Sequence, residues 1–554
     1  MHTDTLAKYG WPIFFIVVGL TLFPSAGRDD VHISYWAAYS LVELGSVLNY
    51  NGVPVEQSSS LLHVLLLALV SAVTGASVVN VGSCLSIFFG LLALRETSRL
   101  AKALQIDWQQ QAVAIAATAT PLVYWSFGGL ETSLVAYLVT AFVRAVVVWH
   151  LPSLDKQRRA AGVLAFLFGS AYIVTRPEAI LVISAALCAS MFVMLATGQS
   201  FKRLLYLQSA LLLVFAALAF WRWCYYGLIF PQPVYAKVGV DLLQQIKHGL
   251  YYLWAINAQV PSLPLLLLAT GFSACLVLIK RSFEIQYVFP LLLFASLLGF
   301  IVTSGGDWME GARFMAPLIP LMAVLAASTL ERLFCKRLGK TVFMTILVLG
   351  LVQLVIFSRS YSTSVPLWQY ADLAELAEQE GVSREKHSWF EIANRVHLRD
   401  AIFIEKFSGM IKERIALKGD ITIMTSQGGM VPYYLFQRFY GRIRLIDTAG
   451  LTTRDFPECS YLGNTQLQAS SGGIGVTHAF YVQNMQALKQ QCGIPFPDFI
   501  FDIDNATQTK SAVFDEADAF NVVYRQKTDV CPAASTCPPS VEGNMFVAEL
   551  NDAD

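Results

Sequence analysis

Long apolar runs alternate with short polar breaks along the first two-thirds of the chain. Runs of about 20 residues, the length a helix needs to cross the hydrocarbon of a bilayer, begin near Trp11, Val78, Ala112, Leu130, Ala160, Ala179, Leu204, Leu263, Val288, Phe314 and Val342. The pattern predicts a polytopic α-helical membrane protein of about eleven spans. One further run, Ser59 to Gly75, either crosses or lies in the interface, and the choice sets the side of every later loop.

Positive charge decides it, because Lys and Arg collect in cytoplasmic loops. With that run in the interface, Arg95, Arg99 and Lys102 fall on the same side as Lys156, Arg158 and Arg159, Lys202 and Arg203, Lys280 and Arg281, and Arg332, Lys336, Arg337 and Lys340. The opposite side holds Asp29, Asp30, Glu43, Glu56, Glu131, Glu178, Asp241, Asp307 and Glu310 beside scattered cations. Ser59 to Gly75 is therefore expected as an outer interfacial helix. Tyr35 to Leu48, with Tyr35, Trp36 and Tyr39 among small and polar residues, is expected as a second helix lying flat on the bilayer and bracing the acidic pair before it.

Past Phe357 the periodicity changes. "DITIMTS", "RIRLIDTAG" and "PDFIFDI" read as strands between helical patterns, so residues 358–554 form a small soluble α/β domain, and residues 1–357 the transmembrane domain with 27–77 as its first outer loop. An odd number of spans with an inner N-terminus puts the C-terminal domain in the periplasm of a bacterial inner membrane. In that oxidising compartment Cys459, Cys492, Cys531 and Cys537 are expected to form two disulfides, with the pairing open, whereas Cys84, Cys188 and Cys275 in the spans are small apolar residues.

Composition agrees: 55% of residues are hydrophobic and 14% charged, with mean hydropathy +0.53. The 39 basic residues balance the 39 acidic ones, so no basic field points to nucleic acid. The N-terminal run is read as an uncleaved first span, since an acidic pair occupies the place of a signal-peptide cleavage site.

The unusual polar clusters sit at the outer ends of spans: Arg28-Asp29-Asp30, "NYNGVPVEQSSS", "FGGLETS", "TRPE", "FPQPVYAK" and "SGGDWMEGARF". Ionisable groups beside hydrocarbon are costly, so one face that gathers many of them lines a wet cavity. Acids and cations facing each other there suit a substrate that is half lipid and half polar, such as a lipid-linked phosphate sugar. Transfer of the sugar needs a base for the acceptor hydroxyl, supplied by Asp29 or Asp30, and cations on the departing phosphate, for which Arg176, Lys237 and Arg313 are candidates. Asp307 is read as site lining because Arg313 follows it. Glu56 either binds sugar hydroxyls or solvates a loop, and His32 and His63 are either packing residues or proton carriers. One of the two aspartates is expected to cap the helix starting near His32. The adjacent carboxylates also have the chemistry to hold a divalent cation or to raise each other's pKa; no metal-ligand set is assigned and no cofactor is certain.

The acidic pair with its following helices, together with "GLET", "TRPE", "VYAK", "GGDWMEGARFMAPLIP" and "GGMVPYYLFQRFYGRIRLIDTAGLTTR", resembles the GT-C glycosyltransferases that use polyprenyl-phosphate sugars, and within them the terminal β-arabinofuranosyltransferases. Two motifs differ from that family: Val55-Glu56-Gln57-Ser58-Ser59-Ser60 replaces Val-Glu-Gly-x-Thr-Ser, and Pro231-Gln232-Pro233 replaces Pro-Asn-Thr. The resemblance implies a GT-C bundle and an inverting transfer of D-arabinofuranose from a decaprenyl-phosphate donor to a glycan or glycoprotein. An aspartate of the pair would be the base, with Tyr235, Lys237, Arg176, Glu131, Glu56, Asp307 and Arg313 around the donor. Two alternatives stand beside it: a transporter or flippase of a lipid-linked saccharide, and a GT-C transferase moving mannose or an aminosugar to protein or lipid A. The absence of an internal repeat and the gathering of polar clusters on one face favour an enzyme.

Overall fold

The computed structural model describes residues 2–27, 29–151, 155–237, 241–307, 309–333, 336–383, 385–455, 478–504, 520–526 and 544–550. All the apolar runs named above are helical. Among the described residues eight helices are long and apolar enough to cross a membrane, from Val78–Ala103 to the last at Arg337–Ser360. The remaining runs form His2–Leu22, Asp155–Thr175 and the pair Gln109–Thr118 and Thr120–Trp125. That pair breaks at Ala119, extended at ψ 113, where Pro121 in the first turn of the second helix has no N–H to carry the first helix on and would clash with its carbonyls. The chain is a multi-pass α-helical membrane protein with a C-terminal α/β domain.

Ser59 to Gly75 contains the helix Leu61–Thr74, 14 residues long and so about 21 Å, too short to cross the hydrocarbon. Leu65, Leu69 and Val73 are exposed along one stripe while His63, Val64, Leu67 and Ser71 are buried on the other, as a helix lying in an interface requires. The helix Val31–Glu43 departs from expectation. Instead of lying flat on a bilayer it is buried on nearly every side: Tyr35 is 2% exposed and Trp36 0%. The C-terminal domain covers it, with Trp36 ringed by Tyr39, Tyr50, Tyr433, Phe436 and Tyr440 at 5.0–6.5 Å.

The C-terminal domain is built on a five-stranded sheet of order β2-β1-β3-β5-β4. Its strands are β1 Ile421–Thr425, β2 Ile443–Asp447, β3 Phe499–Asp504, β4 Phe520–Gln526 and β5 Asn544–Leu550. The first three are the strands read from sequence and pair in parallel; β5 lies antiparallel between β3 and β4. Successive side chains point to opposite faces. Phe499 and Phe501 of β3 meet Phe403 and Phe407 of the helix Arg395–Lys418, and Ile500 with Met424 and Ile446 faces Tyr481 and Leu488 of His478–Cys492 on the other side. One buried apolar cluster runs without a break from Phe15 and Phe289 of the spans to Phe403 and Phe436 of this domain, so the two parts share a core. Cys492 is disulfide-bonded; Cys459, Cys531 and Cys537 lie outside the described residues. Cys84, Cys188 and Cys275 are free.

Candidate active site

Asp29 and Asp30 sit in the turn between His2–Leu22 and Val31–Glu43, both half-buried. Asp30 holds the N-cap position, but its side chain makes no capping bond. The main chain closes the helix start instead, with the N–H groups of His32 and Ile33 donating to the carbonyls of Asp29 and Asp30 at 2.9 and 3.1 Å. Gly27, at φ +92, allows the turn and donates its N–H to the Tyr124 hydroxyl at 3.1 Å. That hydroxyl donates onward to Glu310 at 2.9 Å. The neighbouring Trp125 donates its indole N–H to the Gly311 carbonyl at 3.1 Å, and Arg313 lies over the Trp125 ring at 5.9 Å. The acidic turn and the "GGDWMEGARF" loop are thereby joined through Tyr124 and Trp125.

Arg313 and Asp307, both read from sequence as site lining, form an ion pair, bidentate at 2.6 and 3.1 Å. Gly305 and Gly306 make this loop possible: both have positive φ, and a Cβ on Gly306 would stand 2.4 Å from Tyr252. Arg176 is held by Glu178 at 2.7 Å and by Glu131 at 2.6 Å, with the Ser59 hydroxyl at 3.4 Å. Burial pushes the Glu131 carboxyl up, but Arg176, with Arg313, holds it below the usual range. Arg176, Arg313, Glu131 and Glu178 line one cleft together with Val135, Leu297, Phe300, Ile301 and Pro317. Its lining thus combines two guanidiniums and two carboxylates with apolar side chains. Arg176 spends its Nε and Nη1, and Arg313 its Nε and Nη2, on carboxylates, so each keeps a terminal amine outside those bonds.

Neither Glu56 nor Tyr235 lines this cleft. Glu56 is neither solvated nor open to a sugar. It is 3% exposed and takes a bidentate bond from Arg222 at 2.7 and 2.8 Å, while burial pushes its carboxyl up against the pull of that guanidinium. Tyr235, on the short helix Gln232–Lys237, accepts the Phe230 N–H at 3.4 Å. The Lys237 side chain lies outside the described residues. His63 is buried with no hydrogen-bond partner on either nitrogen among the described residues, and burial pushes it down to about 4; it is a neutral packing residue. Among the described residues no group of three or more His, Cys, Asp and Glu could hold a metal, and no step below is routed through a cation.

The sequence passed over Arg222, Glu391, Tyr434 and Gly429. His32 sends its Nε2 to Glu391 at 2.8 Å, and Glu391 also accepts from Tyr434 at 2.7 and 2.8 Å. An arginine inside the apolar run "FWRWCYY" was a signal for Arg222; Gly429 and Tyr434 lie in the quoted "GGMVPYYLFQRFYGRIRLIDTAGLTTR" stretch, and Glu391 gave none.

No protein-family model matches the chain, and no curated protein matches it. Among solved structures it is similar to ArnT from Cupriavidus metallidurans bound to undecaprenyl phosphate, with TM-score 0.53 and 12% identity over 99% of this chain and 98% of that one. The apo state of the same protein gives 0.52 and 14% over 98% of each chain. The oligosaccharyltransferase of Archaeoglobus fulgidus in its apo form gives 0.52 and 12% over 90% of this chain and 70% of that one. Identities this low speak for architecture and not for substrate. The chain shares the fold of these proteins.

Proposed function

We propose that the chain is an inverting glycosyltransferase that takes a sugar from a polyprenyl-phosphate donor. What carries this is the cleft at Arg176 and Arg313, where two fixed guanidiniums stand beside apolar side chains and are joined through Trp125 and Tyr124 to the Asp29–Asp30 turn. In this reading the prenyl chain packs on the apolar side of the cleft near Phe300 and Phe314, and its phosphate meets the terminal amines that Arg176 and Arg313 keep outside their carboxylate bonds, which match phosphate oxygens in geometry. A carboxylate of the pair takes the proton of the acceptor hydroxyl as that oxygen bonds to the anomeric carbon. The carbon–oxygen bond to phosphate breaks on the opposite face, and its electron pair leaves with the phosphate, whose growing charge Arg176 and Arg313 stabilise. From the sequence resemblance the sugar is D-arabinofuranose and the acceptor a glycan or glycoprotein. The charge asymmetry of the loops puts the site and the C-terminal domain on the periplasmic side of a bacterial inner membrane.

The test is transfer by purified full-length protein from synthetic polyprenyl-phosphate arabinofuranose, alongside mannose and aminosugar donors, to an arabinan oligosaccharide. At least one of Asp29→Asn and Asp30→Asn is expected to lose transfer by more than about a hundredfold. Full transfer in both removes the base. Absence of turnover with every donor, together with movement of the lipid-linked sugar across proteoliposomes, replaces the enzyme by a flippase.

A further inference from the structure

With Asp29 or Asp30 as the base, as proposed above, the turn that carries them needs rigid support, since a base displaced by about 1 Å loses rate by about a hundredfold. The turn is held on the transmembrane side by the start of Val31–Glu43 and by Tyr124 and Phe127, and the C-terminal domain adds fixings of its own. Asn394 donates its side-chain amide to the carbonyls of Ser25 and Gly27 at 2.8 and 3.3 Å, and the Thr363 hydroxyl donates to Gly27 at 3.1 Å.

Two contacts reach the acidic pair more directly. The first runs through His32, which is fully buried. Its Nδ1 lies 3.0 Å from the Asp29 carbonyl oxygen and its Nε2 2.8 Å from Glu391. A carbonyl can only accept. Burial works to raise Glu391, but the bond and charge of His32, with His387 and Tyr434, hold its carboxyl down at about 2, so it too only accepts. The ring therefore bridges the two groups and pins the Asp29 main chain to Glu391. Glu391 is in turn fixed by Tyr434 and by the Ser388 N–H at 2.8 Å, within a capping box at the start of the helix Trp389–Ile392. The second contact is Gly429, in the loop after β1. A Cβ there would stand 2.4 Å from Asp29 Oδ2 and 2.6 Å from the Asp29 carbonyl oxygen, so the bare backbone of this loop packs on the aspartate. The Tyr50 hydroxyl, 2.9 and 3.2 Å from the carbonyls of Gly428 and Gly429, holds that loop in turn.

We propose that the C-terminal domain is part of the catalytic apparatus, and that Glu391, acting through His32, and Gly429 are positioning residues for the Asp29–Asp30 base. A domain serving only to recruit the acceptor would not need to grip the turn behind the carboxylates.

The experiment uses the full chain in the donor assay above, with folding checked by size exclusion and thermal unfolding in detergent. Glu391→Gln is expected to lower kcat by about tenfold to a hundredfold with the donor KM within about twofold, and Glu391→Asp to recover part of the loss. Introduced on top of whichever aspartate variant removes the base, Glu391→Gln is expected to cost nothing further in residual transfer, because a positioned group that is gone cannot be mispositioned. A folded Glu391→Gln with unchanged kcat overturns the proposal, as does a loss that multiplies fully with the aspartate variant. Should Glu391→Gln fail to fold, Tyr434→Phe, which removes one bond to Glu391 and keeps the ring, is expected to lower kcat about two- to fivefold; an unchanged kcat there overturns it equally. Failure of the base itself shows separately, as transfer retained in both aspartate variants.

Discussion

Removing the Glu56 carboxylate tests how the first outer loop is held and whether Glu56 touches substrate. In Glu56→Gln, Arg222, 2% exposed, keeps its charge and loses its counter-ion. Breaking one side of a buried pair costs about 3–5 kcal/mol, whereas replacing both partners by apolar residues of similar volume is close to neutral. The direction of the Glu56 shift says which term dominates here: burial pushes the carboxyl up even with Arg222 bonded through two nitrogens, so desolvation outweighs the attraction. Glu56→Gln is therefore expected to lower unfolding free energy by about 3 kcal/mol, and Glu56→Met with Arg222→Met to return within about 1 kcal/mol of the parent. The assay is chemical unfolding in detergent, with transfer measured on the same samples. A double variant as unstable as the single would refute the accounting, because the pair would then stabilise in its own right. A double variant that recovers stability but not transfer would place Glu56, or its partner, against the substrate.

Replacing Arg176 or Arg313 by Gln removes a charged donor worth about 1.5–3 kcal/mol, so donor KM is expected to rise about tenfold to a hundredfold, read by steady-state kinetics with varied lipid-linked donor. Glu391 has its folded carboxyl depressed from 4.5 to about 2; its stabilising contribution is present above the ordinary glutamate range and is lost as pH falls from about 4.5 towards 2. Unfolding followed by tryptophan fluorescence should show an acid limb there that is flattened in Glu391→Gln. Gly429→Ala must move either the β1 loop or Asp29, given a Cβ 2.4 Å from the carboxylate, and transfer is expected to drop at least tenfold while circular dichroism is unchanged.

What the sequence made legible follows from the range over which its patterns act. Apolar runs of span length and the period-2 pattern of "DITIMTS" are local, and both the helices and β1 to β3 came out where expected. Asp307 and Arg313 are six residues apart in one glycine-bearing loop, so their sharing of one site was readable from that nearness, though not the ion pair between them. His32 and Glu391 are separated by 359 positions, and Glu56 and Arg222 by 166, and nothing local in either stretch names the partner. The burial of Val31–Glu43 escaped for the same reason. Its aromatic residues have the composition of an interfacial helix, and only the arrival of Tyr433, Phe436 and Tyr440 from the distant domain turns that face into a core. β4 and β5 are single strands paired antiparallel at the end of the chain, with weak alternation and no motif to mark them.

Both arginines of the cleft are tied to carboxylates at rest, and the ties bear on catalysis rather than affinity. A guanidinium has five donors in a planar fork, and Asp307 occupies only the Nε–Nη2 edge of Arg313, leaving Nη1 to phosphate. The carboxylate offsets the cost of holding the cation next to hydrocarbon and fixes its direction, at the expense of part of its attraction for a ground-state phosphate. That trade favours turnover, because charge on the leaving phosphate is greatest in the transition state and is served best by a donor already in place. Asp307→Asn frees charge and loosens the fork. Donor KM is accordingly expected to stay level or fall while kcat falls about tenfold, and a rise in KM with kcat unchanged would mean that Asp307 binds the substrate itself instead of orienting Arg313.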